Sequence, residues 1–302
     1  MELRRDDMGQ HGDEVNWVNN IATNGIGRQI QSAMWYTNVG GCAATWVTQY
    51  DNPTEGGDCF WNGSPLVDYR TAIGGSSNQI RTTALAMHFG HVGDGSCPNH
   101  AVTTRDMPVL SGTEISKFVS IEDGSTVKYD VTYTPAKTAG LDGIGHPVFE
   151  PFGLHLNDWF THLHYLEWDG TTWDELHNAV IARNLPGGGP TEPIFDWDGT
   201  QPAYIMASFQ SGNAADEYAI ALYCPPTVLV GGANFACWVT ESATGAPVMN
   251  DEESEGCVRL VMREWNRPTT RGTTVTYHGY ILMGTIAEIE AAAERIRTGV
   301  TP

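Results

Sequence analysis

The stretch "STVKYDVTY", residues 125–133, decides the fold class. Val127, Tyr129, Val131 and Tyr133 alternate with Lys128, Asp130 and Thr132. Successive side chains of an extended chain point to opposite faces, so this period of two puts all four large apolar groups on one side. Wound into a helix, the same residues would scatter around the axis, so the pattern is that of a half-buried strand. "AYIMASF" (203–209), "EYAIALY" (217–223) and "NFACWVT" (234–240) read as further strands, buried on one or both faces. "CVRLVMREW" (257–265) and "TTVTYHGYILMG" (273–284) flank "NRPTTRG" (266–272) and predict a hairpin with a long turn. "PFGLHLNDWFTHLHYLEWDGTTWDEL" (151–176) predicts strand, turn and strand, with "DGTT" as the turn.

One helix interrupts this pattern. Thr285 and Glu288 form a capping box, and Ile286, Ile289, Ala293 and Ile296 recur at helical spacing before a Gly299 stop. The helix is expected to pack on a sheet with Glu288, Glu290, Glu294 and Arg295 towards water. The 34 glycines and 16 prolines are spread throughout, and the one linker-like segment, "NLPGGGPTEP" (184–193), separates strands of similar composition. The expectation is an all-β chain: a large, supersandwich-like antiparallel β-sandwich with a C-terminal α-helix. It is read as a single domain over residues 1–302, with 1–15 as a flexible N-terminal arm and 285–299 as the helix.

The charge narrows the partners. The net charge is −20, from 36 acidic against 16 basic residues, and no basic run is present. Such a field repels nucleic acid and anionic membranes, and it favours neutral over polyanionic substrates. No run of residues is long and apolar enough to span a bilayer. The low lysine content and the abundance of Asn, Gly, Thr and Trp point to a secreted or extracellular setting. "MELRRDDMGQ" at the start carries no secretory leader, so export would rest on a leader outside this sequence. Six cysteines (Cys42, Cys59, Cys97, Cys224, Cys237 and Cys257) include no C-x-x-C pair. Disulfides fit that setting, and spacing makes Cys42–Cys59 and Cys224–Cys237 the local bridges to test, against the alternative of buried thiols.

The segment "GIGRQIQSAMWY" (25–36) mixes a guanidinium and amides with large rings. "WVTQYDNPTEGGDCFWNG" (46–63) adds more of both within a short span. A sugar presents C–H faces that stack on rings and hydroxyls that need fixed donors and acceptors. Arg28, Gln31, Trp35, Trp46, Asn52 and Trp61 are therefore the candidate saccharide-binding residues. Glu55 and Glu150 are the candidate acid–base pair for a glycosidic bond, Glu150 because "GHPVFEPFG" is an apolar setting. A β-elimination would instead use His88 or His155 with Tyr36. The bland reading of the turn "DNPTEGGD" is backbone capping, and that of Glu150 is a salt bridge or cap.

Metal and cofactor signals are weaker. His162 and His164 share a strand face and hold zinc only if a third ligand arrives from elsewhere, so no cofactor is expected and Zn²⁺ is the alternative. "DWDGTQ" (196–201) and "EWDGTTWDE" (167–175) read as hairpin turns, with a structural Ca²⁺ as the alternative. No Gly-x-Ser-x-Gly, P-loop or Rossmann fingerprint occurs.

"GRQIQSAMWY" followed by "YDNPTEGGD", together with the late "YHGYILMGTIAEIEAAAERI", resembles secreted bacterial β-sandwich proteins of polysaccharide-degrading systems, with galactose-mutarotase-like sandwiches. The resemblance covers about a quarter of the chain, in pieces, and implies carbohydrate chemistry without naming catalytic residues. The expectation is an enzyme cleaving glycosidic bonds of a polysaccharide or oligosaccharide, by hydrolysis. Its alternatives are a polysaccharide lyase, a non-catalytic carbohydrate-binding protein and a His-dependent metalloenzyme. The sequence does not set the oligomeric state.

Overall fold

The computed structural model of the chain describes residues 3–6, 16–19, 30–36, 50–51, 66–71, 75, 78–85, 88–89, 113–136, 147–157, 160–180, 194–209, 218–227, 234–241, 257–265 and 267–300. In chain order the strands are β1 (Leu3–Asp6), β2 (Asn16–Asn19), β3 (Ile30–Tyr36), β4 (Tyr50–Asp51), β5 (Leu66–Thr71) and β6 (Gln79–Leu85). There follow β7 (His88–Phe89), β8 (Glu114–Ile121), β9 (Thr126–Thr134), β10 (Pro147–Asn157), β11 (Phe160–Trp168) and β12 (Trp173–Val180). The last are β13 (Ile194–Trp197), β14 (Ala203–Phe209), β15 (Tyr218–Cys224), β16 (Asn234–Glu241), β17 (Cys257–Trp265), β18 (Val275–Thr285) and the helix α1 (Ile286–Thr298).

Two large antiparallel sheets hold most of the strands. One has the order β13-β16-β17-β10-β3-β4-β7, the other β12-β11-β14-β15-β18-β9-β8-β6-β5, and β1 pairs with β2 apart from both. The inward residues of the two sheets form one core. Val127, Tyr129, Val131 and Tyr133 of β9 are at most 2% exposed, as the period of two predicts. They meet Phe149 and Phe152 of β10: Tyr133 and Phe149 have ring centroids 4.9 Å apart, Tyr129 and Phe152 5.7 Å. Phe152 also sets the identity of Gly279 on β18, because a Cβ there would lie 2.7 Å from Phe152 Cζ. The chain is thus an all-β antiparallel sandwich with one C-terminal helix.

The helix makes a third layer. β14 and β15 are buried on both faces, which is why they read as continuous apolar runs rather than alternating ones. Ile205, Leu222 and Cys224 face the opposite sheet. Tyr204, Met206, Ala219, Ala221 and Tyr223 face Ile289, Ala292 and Ala293 of α1. The two alanines of β15 keep that face low, so the helix can approach the sheet. The caps are those the sequence predicts: the Thr285 side chain accepts from Glu288 N, and Gly299 closes the helix at φ 68°. Among the described residues no helix is long and apolar enough to cross a membrane.

Three local expectations are corrected. β17 and β18 are not a hairpin, because they belong to different sheets. Residues 267–272 of "NRPTTRG" lie in an arch between layers, held where Gly272 N donates to Pro135 O at 2.9 Å. "DWDGTQ" likewise carries the chain from β13 in one sheet to β14 in the other, whereas "DGTT" does close the β11–β12 hairpin. Cys224 is a buried thiol and not half of a Cys224–Cys237 bridge: its Sγ lies 3.0 Å from Met262 Sδ, within the core. Cys42, Cys59 and Cys97 lie outside the described residues.

Candidate active site

The seven-stranded sheet brings together sequence candidates that are far apart in the chain. β3 carries Gln31, Trp35 and Tyr36, and β10 beside it carries Glu150 and His155. In register, Gln31 lies opposite Gly153, Ala33 opposite Glu150, Trp35 opposite Val148 and Tyr36 opposite Pro147. A bulge between Glu150 and Gly153 breaks this ladder, which is the kind of irregularity that re-aims side chains. On the other side of β3, Met34 pairs with Asp51 of β4, which pairs with His88 of β7. His155 lies opposite Arg259 of β17. Of Gln31, Trp35, Tyr36, His88 and His155 only the backbone is described. Arg28, Trp46, Asn52, Glu55 and Trp61 lie outside the described residues.

Glu150 is described in full, and its surroundings differ from the apolar setting its neighbours suggest. It is 0% exposed, and its Oε2 accepts from Arg263 Nε at 3.1 Å and Nη2 at 2.5 Å. The Arg263 guanidinium also lies over the Trp265 ring, 5.7 Å from its centroid. Tyr133, reaching across from the large sheet, donates its hydroxyl to the Glu150 carbonyl at 2.9 Å.

A second buried carboxylate, Glu264, is not among the sequence candidates. It stands opposite Phe149 on β17 and is 0% exposed. Arg267 Nη1 donates to both its oxygens, at 3.1 and 2.9 Å, and the Tyr277 hydroxyl donates to Oε2. Burial, and then the Glu264 charge, push the Tyr277 phenol well above its ordinary 10.0, so it stays a donor. Burial alone would lower the Arg267 guanidinium, but its bond to Glu264 raises it. Arg263 and Glu264 are consecutive on a strand, so the two ion pairs lie on opposite faces of the sheet. Each carboxylate has its own arginine, one ion pair on each face of the sheet. The signal for Glu264 was present in "VMREWNR", an acid inside an apolar strand between two arginines.

His162 and His164 sit elsewhere, on β11 of the nine-stranded sheet. His164 Nδ1 is 2.8 Å from Glu175 Oε1, and His162 Nε2 is 2.5 Å from Asn178 Oδ1. Among the described residues no three His, Cys, Asp or Glu side chains converge as metal ligands. In the two Asp-Gly-Thr turns considered for Ca²⁺, one oxygen is committed locally. Asp169 Oδ1 accepts from Thr171 N, Thr171 Oγ1 and Thr172 N, and Asp198 Oδ1 from Thr200 N and Oγ1.

No protein-family model and no curated protein matches the chain. Among solved structures it is similar to heparan sulfate lyase from Pedobacter heparinus, native and mutant, each at TM-score 0.34 and 8% identity. That match covers 74% of this chain but only 22% of the lyase. It is also similar to a candidate aldose 1-epimerase from Escherichia coli K12, at TM-score 0.40 and 11% identity, over 89% of both chains. The resemblance to both is weak.

Proposed function

We propose that the protein is a carbohydrate-active enzyme that hydrolyses glycosidic bonds of a polysaccharide or oligosaccharide outside the cell. The observation that carries this reading is the strand order β17-β10-β3-β4-β7, which gathers Gln31, Trp35, Tyr36, Glu150, His155 and His88 on neighbouring strands. Rings, amides and a carboxylate on one sheet are the groups that grip a sugar ring and act on its acetal. In this reading Trp35 and Gln31 hold the sugar, with Arg28, Trp46, Asn52 and Trp61 from the flanking segments. Glu150, the partner of a guanidinium, is the charged member of the acid–base pair, and Glu55 is the proton donor. The net charge of −20 favours a neutral glycan. Carboxylates alone supply the chemistry.

The test is incubation with a panel of polysaccharides, read both by new reducing ends and by the ultraviolet absorbance of an unsaturated uronate. Reducing ends without that absorbance support hydrolysis. With the absorbance, the enzyme is a lyase working through His88 or His155 and Tyr36. Glycan binding without turnover makes it a binder, and no response of any kind overturns the saccharide reading. Glu150→Gln is expected to lower turnover at least ~100-fold while glycan binding persists, the range for loss of an acid–base group.

A further inference from the structure

We infer that Tyr133 and Ser32 are positioning residues for Glu150: their hydroxyls brace the bulge of β10 and so aim the Glu150 carboxylate at Arg263. For turnover the inference rests on the proposed hydrolysis, with Glu150 in the acid–base pair; its geometry does not.

β10 does not alternate strictly. Phe149, Phe152 and Leu154 all lie in the core between the sheets. Successive residues of a strand take opposite faces, so Phe149 and Phe152, three apart, face the same way only if one extra residue intervenes. The register shows it on both sides. Towards β3, Glu150 lies opposite Ala33 and Gly153 opposite Gln31, so Pro151 and Phe152 face the single residue Ser32. Towards β17, Phe149 lies opposite Glu264 and Phe152 opposite Met262, so Glu150 and Pro151 face the single residue Arg263. Kept in phase with Phe152, strict alternation would turn Glu150 into the core, away from Arg263. Proline suits the site, because it has no N–H to leave unpaired where the ladder breaks.

Hydroxyls hold both carbonyls of the bulge. Tyr133 of β9 donates to the Glu150 carbonyl at 2.9 Å, and Ser32 Oγ of β3 donates to the Pro151 carbonyl at 2.8 Å. Ser32 commits its one hydroxyl proton there, so in its 3.5 Å contact with the Tyr129 hydroxyl the tyrosine is the donor. Tyr129 and Tyr133 both stand on the inner face of β9, in the other sheet. Their rings meet Phe152 and Phe149, the two residues that flank Glu150 and Pro151. The nine-stranded sheet therefore fixes the bulge twice, ring against ring and hydroxyl against carbonyl. On the opposite face Glu150 Oε2 accepts from Arg263 Nε and Nη2. The backbone that carries the carboxylate is held from inside the sandwich, and the carboxylate is held outside it.

Tyr133→Phe and Ser32→Ala, each in the full chain, remove one hydroxyl at a time. They are assayed on the neutral polysaccharide that gives most reducing ends in the panel above. Each is expected to lower kcat about 10- to 100-fold with KM kept within about twofold, the effect of a slightly misplaced reacting group. Thr285→Ala, which weakens the helix cap, is the control for lost stability and is expected to keep kcat. Glu150→Gln in the same assay separates this inference from the reading it rests on. If that variant keeps its rate, or no polysaccharide is turned over, the hydrolytic role of Glu150 fails and a mutant cycle in urea decides the brace. There Arg263→Met is expected to lower the folding constant at least about tenfold less in the Tyr133→Phe background than in the wild type. The brace is overturned if the two losses simply add. It is equally overturned if Glu150→Gln loses turnover while Tyr133→Phe and Ser32→Ala lose no more kcat than Thr285→Ala.

Discussion

Phe152 and Gly279 show how one residue's identity follows from another's packing. The ring lies where a Cβ at 279 would have to be, inside the core shared by the two sheets. Gly279→Ala is expected to cost about 1–3 kcal/mol by overpacking, seen in urea as a lower midpoint with an unchanged slope. The buried pair Glu150–Arg263 is the other test at this scale. Removing either partner breaks a buried ion pair, so Glu150→Gln or Arg263→Met alone should each destabilise by about 3–5 kcal/mol. The double variant should recover part of that, and a double-mutant cycle in urea measures the coupling. The apolar neighbours of Glu150 were legible in "GHPVFEPFG". Its partner was not, because Arg263 stands 113 positions away and nothing local marks the two as neighbours.

At the scale of elements, the helix was legible from end to end and the loops were not. Both caps and the buried stripe of α1 lie within one short stretch of chain, so local chemistry decides them. Thr285→Ala should cost about 1 kcal/mol through loss of the N-cap, measured as a lower Tm. The two Asp-Gly-Thr turns show the opposite case. Asp169 and Asp198 each accept from the backbone and hydroxyl of the threonine two residues on. One turn closes a hairpin and the other crosses between sheets. An Asx turn reverses or redirects the chain by the same local bonds in both settings, so the motif carries no information about which strand comes next to which.

Over the whole molecule, pH sets two outer limits on stability. Hydrogen bonds from Thr172 and Thr171 hold Asp169 below its ordinary 3.8, and bonds from Thr200 do the same for Asp198. The bonds from Thr285 lower Glu288. These groups stabilise the fold above the usual carboxylate range, and that stability is lost as the pH falls through their folded values. Burial raises Tyr129, Tyr204, Tyr223 and Tyr277 above 10.0. Their contribution is complete below 10.0 and is lost as the pH rises from there towards the folded values. Melting temperature against pH is therefore expected to show a plateau that falls away below the carboxylate range and again above about pH 10. A curve still rising above that point would contradict the burial of the tyrosines. Linear pattern marks the elements: strands where apolar and polar residues alternate, and one helix capped at Thr285 and Gly299. Those follow from contacts within a few residues, which a linear pattern records. The tertiary structure alone decided which strands adjoin, which loops cross between sheets, that Glu150 meets Arg263, and that Glu264 joins it as a second buried acid. Antiparallel strands of either sheet have the same local geometry, and only the packing of distant side chains between the layers selects among their pairings.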